Sequence, residues 1–136
     1  MAKIVVTANQ AEVLRNICLE RRTAFVRAAN LLGDRVSPAG SDLSADESLT
    51  FDALVAAAHL ATAVADAFDA VDAAPAAVTV IAPATVASWI ARHKIAAIDD
   101  ADMEARGFDA ADITAAKTRR EMRLAELASI ARSLGA

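Results

Sequence analysis

The stretch from Phe51 to Ala74 is apolar around most of the circumference that a helix would give it. With each residue placed about 100° after the last, its apolar positions form one broad arc. Because that arc is too wide for a surface helix, we predict a central core helix on which neighbouring helices pack closely. The arc consists of Leu54, Ala57, Ala58, Ala61, Val64, Ala65 and Phe68, extended by Ala53, Leu60 and Val71.

The other side of this helix is a narrow polar stripe with alternating spacings of three and four residues. The longest uncharged run, Ala53 to Ala65, is shorter than the roughly 18 residues that a membrane span needs. The pattern therefore predicts burial within protein and no membrane partner. The polar stripe consists of Asp52, Val55, His59, Thr62, Asp66 and Asp69.

Two short runs rich in β-branched residues predict short strands, from Lys3 to Ala8 and from Ala77 to Ala82. Such strands can pair with each other or across a dimer. An isolated pair would be only marginally stable without helices packed on it.

A helix-start signal follows the first strand, where Asn9 and Glu12 have the spacing of a capping box. We predict a helix from about Gln10 to Leu32, with Gly33 just past its end. The apolar face of this helix consists of Leu14, Ile17, Cys18, Ala24, Phe25, Ala28, Leu31 and Leu32.

The connection from residue 33 to residue 48 is dense in glycine, proline, serine and aspartate, which predicts a flexible loop. Near its end, Ser44 and Glu47 form a second candidate capping box. This box would start the central helix near Ala45.

The remaining chain predicts three further helices. Pro83 suits the first turn of one of them, in which Trp89 is a core anchor. A short acidic helix stops at Gly107, and a capping pair of Asp109 and Asp112 starts the last helix. That helix runs from about Ala110 to Leu134 and buries Ile113, Ala116, Leu124, Leu127, Ala128, Ala131 and Leu134.

These elements define the expected fold class as mainly α. We predict an alanine-rich helical bundle of three long helices plus short helices, with one or two short β-strands. A chain of 136 residues of which 56% are hydrophobic is large enough for one domain with its own core. The prediction is therefore a single helical domain over residues 1–136, with the loop of residues 33–48 inside it.

The charge and cysteine content of the chain argue against several classes of function. A net charge of −4 argues against a general binder of phosphate backbones. Cys18 is the only cysteine, so neither an intrachain disulfide nor a multi-cysteine zinc site is expected. The N-terminal sequence MAKIVVTANQ does not have the pattern of a signal peptide. A cytoplasmic protein without a cofactor is the expectation.

Two arginines, Arg21 and Arg120, fall on the apolar arcs of their helices, where a guanidinium needs a partner. The favoured interpretation is a structural charge network with acids of the central helix, Asp66 and Asp69. The alternative is an anion site, in which Arg21 and Arg120 hold a carboxylate or phosphate while Asp66 or His59 handles a proton. Spacing alone leaves both open.

The segment LERRTAFVRAANLL, from Leu19 to Leu32, resembles the first helix of the all-helical chorismate mutases. In that family an arginine following a glutamate points into the active site, and Arg21 stands at the matching position here. The family's lysine further along that helix would fall near Leu32, and its next arginine-bearing acidic motif is missing from the loop. The resemblance covers one helix and implies, at most, an anion-binding site.

Other chemistries lack the residue patterns that they need. His59 and His93 have no neighbouring ligands at metal-binding spacing, so no metal site is expected. The four glycines are too scattered for a phosphate loop. Cys18, on an apolar face, has the position of a core residue rather than of a catalytic nucleophile, and no catalytic residue is assigned.

One basic run remains as a candidate nucleic-acid patch. It has no interleaved aromatic residues, and the chain as a whole is acidic, so nucleic acid is not an expected partner. The run consists of Lys117, Arg119, Arg120 and Arg123.

The sequence therefore favours a non-catalytic helical interaction or structural protein. Alanine-rich faces, the broadly apolar central helix and open strand edges favour self-association as a homo-oligomer, or binding to a protein partner in a larger assembly. The alternative is a small helical-bundle enzyme or sensor that binds an anionic metabolite through Arg21, Arg120, His59 and Asp66.

Overall fold

A computed structural model describes residues 1–36 and 43–135. The described residues form five helices and two strands, which confirms the predicted fold class of mainly α with short strands. In chain order the elements are β1 (Ala2–Val6), α1 (Ala8–Val36), α2 (Ala45–Asp69), β2 (Ala76–Val80), α3 (Pro83–Arg92), α4 (Asp100–Ala105) and α5 (Ala110–Ser133).

The chain divides into two compact units, Met1–Pro83 and Ala84–Ala136. The first unit contains β1, α1, α2 and β2, and the second contains most of α3 together with α4 and α5. The prediction of a single domain over residues 1–136 stays a prediction.

In the first unit, α1 and α2 form a helical hairpin whose mutual contact is the most extensive between any two described elements. The strands on either side of this hairpin pair with each other, antiparallel, with Ile4 opposite Val78 and Val6 opposite Ala76. Side chains alternate across the two strands. Ile4, Val6, Val78 and Val80 are buried, whereas Val5 on the other face is 72% exposed.

Three helices begin with reciprocal capping pairs, two of which match the predictions. The side chains of Ser44 and Glu47 each accept a hydrogen bond from the other's backbone N–H at the start of α2. Asp109 and Asp112 do the same at the start of α5. At α1 the prediction of Asn9 with Glu12 is wrong.

The capping pair of α1 lies two residues earlier. The N–H of Thr7 donates to Gln10 Oε1 (2.9 Å), and the N–H of Gln10 donates to Thr7 Oγ1 (3.2 Å). Thr7 and Gln10 also satisfy the capping-box spacing. Because the strand ends at Val6, the earlier of the two overlapping signals starts the helix.

Two predicted helix ends are also wrong. Helix α1 continues through Gly33 to Val36, since one glycine costs a helix interior only about 1 kcal/mol relative to alanine. Helix α2 stops at Asp69 instead of Ala74. The Asp72 side chain accepts a hydrogen bond from the Ala73 N–H (2.9 Å), and such local bonds compete with helix continuation.

The predicted loop of residues 33–48 is therefore shorter on both sides, because its ends belong to α1 and α2. Residues 37–42 lie outside the described residues. Burial along α1 also differs from the prediction. Leu14, Ile17 and Cys18 are buried, whereas Leu31 is 65% exposed and Ala24 is exposed as well.

Helix α3, most of which lies in the second unit, begins at Pro83, as predicted, and buries Trp89. Gly107, with φ +91°, adopts a backbone conformation that favours glycine, and it separates α4 from α5. Helix α5 buries Ile113, Leu127 and Ala131. The predicted burial of Ala128 is wrong, because Ala128 is exposed.

Candidate functional site

The four residues of the predicted anion site belong to different compact units. Arg21, His59 and Asp66 lie in the first unit and Arg120 lies in the second. Among the described residues, no hydrogen bond or ion pair links Arg21, His59 and Asp66 to one another. The anion site stays a prediction, and the four residues lie in different local environments.

Arg21 is half-buried on α1. Its guanidinium carbon lies 5.1 Å from the centre of the Phe25 ring, one helical turn further along. This distance is that of a cation–π contact. The Arg21 Nε atom is buried and has no hydrogen-bond partner among the described residues, so one strong donor of this arginine is unsatisfied.

The acids of α2 do not supply that partner. Asp69 forms its ion pair with Arg15, at 3.2 Å between Arg15 Nε and Asp69 Oδ1, and both side chains are well exposed. Asp66 and His59 are exposed on α2. The ion pair between α1 and α2 is thus made by a surface arginine instead of the inward one.

Arg120 holds the chain segment that precedes α4. Its Nε donates to the Ala96 carbonyl and its Nη2 donates to the Ile95 carbonyl, both at 3.0 Å. Nearby, Lys117 Nζ lies 2.7 Å from Asp100 Oδ1. Both cations line a shallow pocket of about 190 Å³, yet each already has partners within the protein. Two nitrogens of Arg120 therefore already have backbone partners within this unit.

Cys18 is buried, and desolvation raises the pKa of its thiol from 9.0 to about 12. The thiol is therefore protonated at neutral pH, whereas nucleophilic attack and metal binding both need the thiolate. The described residues contain no group of three or more His, Cys, Asp and Glu side chains placed to hold a metal ion.

Part of the apolar surface of α2, in the first unit, is exposed. The helix buries one face, which we call the inner face and which consists of Ala58, Ala61, Val64, Ala65 and Phe68. A second apolar row runs along the opposite side, and we call it the outer stripe. The outer stripe consists of Leu49, Ala53, Ala56, Leu60, Ala63 and Ala67, together with Ala70, the C-cap residue of α2.

The outer stripe has the spacing of a coiled-coil seam. Its members alternate at intervals of four and three residues, which is the heptad pattern of the a and d positions. All of them are exposed except Leu60 and Ala67, which are half-buried, and Leu49 is 69% exposed. The sequence prediction of burial around most of the helix therefore holds for the inner face only.

Helix α2 is also long and apolar enough to cross a membrane by length and composition, as no other helix in the described chain is. Core helices of soluble proteins pass the same test. Only 17% of its most apolar window is buried, which agrees with the exposure of the outer stripe. The absence of a membrane partner stays a prediction.

A second apolar surface lies between the C-terminal part of α1 and the N-terminal part of α2. It is a groove of about 690 Å³, with Leu31, Leu32 and Leu54 among its lining residues. Its rim includes Asp34 and Thr50. The part of the chain that joins its two walls is outside the described residues.

The signal for the outer stripe is present in the sequence. Only Ala53 and Leu60 of the outer stripe fall within the predicted apolar arc, so that arc does not predict the row as a separate surface. Comparisons with protein-family models, with curated proteins and with solved structures find no match for this chain. The candidate surface therefore rests on the geometry of the first unit.

Proposed function

We propose that this protein is a non-catalytic helical interaction protein that self-associates through the outer stripe of α2. The observation that carries the proposal is the exposed heptad row on a helix whose inner face is already occupied. A cytoplasmic location belongs to the same proposal, because a chain with a single cysteine has no disulfide framework of the kind that small secreted proteins use.

The physical argument concerns exposed apolar area. Burying apolar surface is favourable by roughly 25 cal/mol per Å², and a helix with two apolar faces gains from a second partner. Leu49 and Leu60 supply large side chains, while the five alanines between and after them allow a neighbouring helix to approach closely. Heptad spacing keeps such a row in contact with a partner helix along its whole length.

The surroundings of the chemistry-bearing groups support the non-catalytic part of the proposal. Arg120 uses two donor nitrogens on backbone carbonyls, and Cys18 is held as a neutral thiol. Neither side chain presents a free charged group for substrate chemistry.

The test is the solution mass measured by light scattering over a range of protein concentrations. We expect a mass above that of the monomer for the natural chain. Ala63→Glu places a charge in the middle of the outer stripe, so it should give a monomer with unchanged helix content, because Ala63 is exposed.

The matched control is Ala125→Glu, the same change at an exposed alanine of α5. This variant should have the same oligomeric state in light scattering as the natural chain. A natural chain that stays monomeric at every concentration would rule out the proposed self-association.

A second candidate function is favoured by the unsatisfied donor of Arg21. A carboxylate or phosphate placed against Arg21 Nε would supply the missing acceptor and form a charge-assisted hydrogen bond. We therefore propose, as the alternative, that the first unit binds a small anion at Arg21.

Thermal unfolding in the presence of single carboxylate and phosphate compounds tests this alternative, because a ligand of the native state raises stability by mass action. Arg21→Met keeps much of the side-chain volume but removes the donors, so it should abolish the stabilisation by any active anion. A panel without a single stabilising anion would remove the candidate.

A further inference from the structure

Ionisable side chains run along one edge of the outer stripe. Asp52, His59 and Asp66 follow one another at intervals of seven residues, and all three are exposed. They therefore occupy the same heptad position, immediately before Ala53, Leu60 and Ala67 of the outer stripe. The opposite edge carries Thr50, Ala57 and Val64, which have no charge, and Val64 there also belongs to the buried inner face. The two edges of the stripe thus differ in chemistry.

This asymmetry distinguishes between two ways of pairing α2 with a second α2. In a parallel pair each charged edge lies against the uncharged edge of the partner helix. The carboxylates of Asp52 and Asp66 would then border apolar side chains and lose part of their hydration without gaining a partner. In an antiparallel pair the two charged edges meet.

The charges also distinguish between registers of the antiparallel pair. When Leu60 lies against Ala63 of the second copy, His59 comes opposite Asp66 of that copy, and the twofold axis repeats the contact. An imidazole N–H donates to a carboxylate in either protonation state of the ring. A shift by one heptad repeat places Leu60 against Ala56. It then brings the carboxylate of Asp52 opposite that of Asp66 and leaves His59 opposite His59, without a carboxylate partner.

We propose that α2 pairs with α2 of a second copy of this chain in the antiparallel register that places Leu60 against Ala63 and His59 against Asp66. The inference rests on the proposed self-association and adds the identity of the partner, its direction and its register. In this arrangement Ala56 lies against Ala67, and the small side chains let the two backbones approach to the close end of the usual range of about 8–10 Å.

The register is tested by cysteine cross-linking. Ala56→Cys and Ala67→Cys are prepared as separate chains that carry tags of different size, and Cys18 is retained because its thiol is buried. A disulfide needs the two Cα atoms within about 7 Å of each other. An oxidised mixture should give the cross-linked product of one chain of each kind, while either chain alone should give none.

Each other outcome overturns the register in a distinct way. Cross-linking of Ala56→Cys with itself would show a parallel pair. A dimeric mass that Ala63→Glu still abolishes, without any cross-link, would show that the outer stripe pairs in another register, so that the inference fails while the proposed function stands. A monomeric mass refutes both, and co-flotation of that monomer with phosphatidylcholine vesicles would assign the outer stripe to a lipid surface.

Charge exchange provides a second test of the same contact. His59→Asp places Asp against Asp66 of the second copy and should raise the dissociation constant about fivefold. The double variant His59→Asp with Asp66→His restores opposite partners in the antiparallel register and should return the constant to that of the natural chain. Failure of the double variant to recover, with the single variant impaired, would contradict the proposed pairing.

Discussion

The two apolar faces of α2 have similar composition and different surroundings. The inner face buries Ala61 and Phe68 almost completely, whereas Ala63 and Leu49 on the outer stripe are exposed. Both faces are built mainly from alanine with a few larger apolar residues. What separates them is the position of α1, which can cover only one side of a helix with which it forms a hairpin. An apolar helix face in a sequence therefore indicates that the face needs a partner. It does not indicate whether that partner belongs to the same chain.

The largest effect is expected for Phe68→Ala on the inner face. Phe68 is 1% exposed, and truncating a buried phenylalanine leaves a cavity that costs about 3–5 kcal/mol. Urea unfolding followed by circular dichroism measures this loss. A loss below about 1 kcal/mol would mean that the inner face does not hold the hairpin together.

The second effect distinguishes a thiol of the buried core from a thiol of the outer stripe. Burial raises the pKa of Cys18 to about 12, so between pH 9 and 12 the unfolded chain releases a proton that the folded chain keeps. The free energy of unfolding should therefore fall as pH rises through this window, by on the order of 1 kcal/mol per pH unit.

Cys18→Ala should remove this pH dependence even if it lowers stability overall. At pH 8 a thiol reagent should modify Ala56→Cys rapidly when it is combined with Ala63→Glu, which keeps the chain monomeric, and Cys18 only on unfolding, as followed by absorbance. Rapid modification of Cys18 in the folded protein would contradict its burial.

The third effect compares the same substitution on the two faces. Ala61→Leu inserts a large side chain at a position with no exposure, and overpacking of this kind costs about 1–3 kcal/mol. Ala63→Leu, two residues further on, should leave the stability of the monomer unchanged and alter only the dissociation constant. Thermal unfolding measures the stability of both variants, and light scattering measures their dissociation constants. Equal losses of stability would show that the two faces do not differ in packing.

The smallest effect is expected for Asp69→Asn. Its side chain forms an ion pair with Arg15 that links α2 to α1, and both side chains are exposed. Exposed pairs contribute at most about 1 kcal/mol and are weakened by salt. Stability should thus change little in low salt and not at all in high salt, whereas a larger loss would show that charge, and not the inner face, joins the two helices.

The features predicted correctly from the sequence depend on neighbours along the chain. Ser44 with Glu47 and Asp109 with Asp112 were found because a capping box needs only residues three positions apart. The start of α1 was misplaced because Thr7 with Gln10 and Asn9 with Glu12 carry the same local signal, and only the end of β1 distinguishes them.

The features that sequence could not predict depend on tertiary contacts. Arg21 and Arg120 have the same signature, an arginine on the apolar arc of a helix. In the structure Arg120 binds the carbonyls of Ala96 and Ile95, while Arg21 lies over Phe25 with an unsatisfied Nε. The spacing of apolar residues along a helix does not indicate which backbone segment lies against a given side chain. The shared role of Arg21 and Arg120 in an anion site therefore stays a prediction.

The pairing of β1 with β2 has a consequence for the order of folding. These strands flank the whole helical hairpin, so Val6 reaches Ala76 only when both helices between them are in place. Closing so long a loop carries a large entropic cost unless the intervening chain is already compact. The hairpin, started by its local capping boxes, should form early, and the sheet should close last. In a pulsed hydrogen-exchange experiment the strand amides would then gain protection after those of α1 and α2.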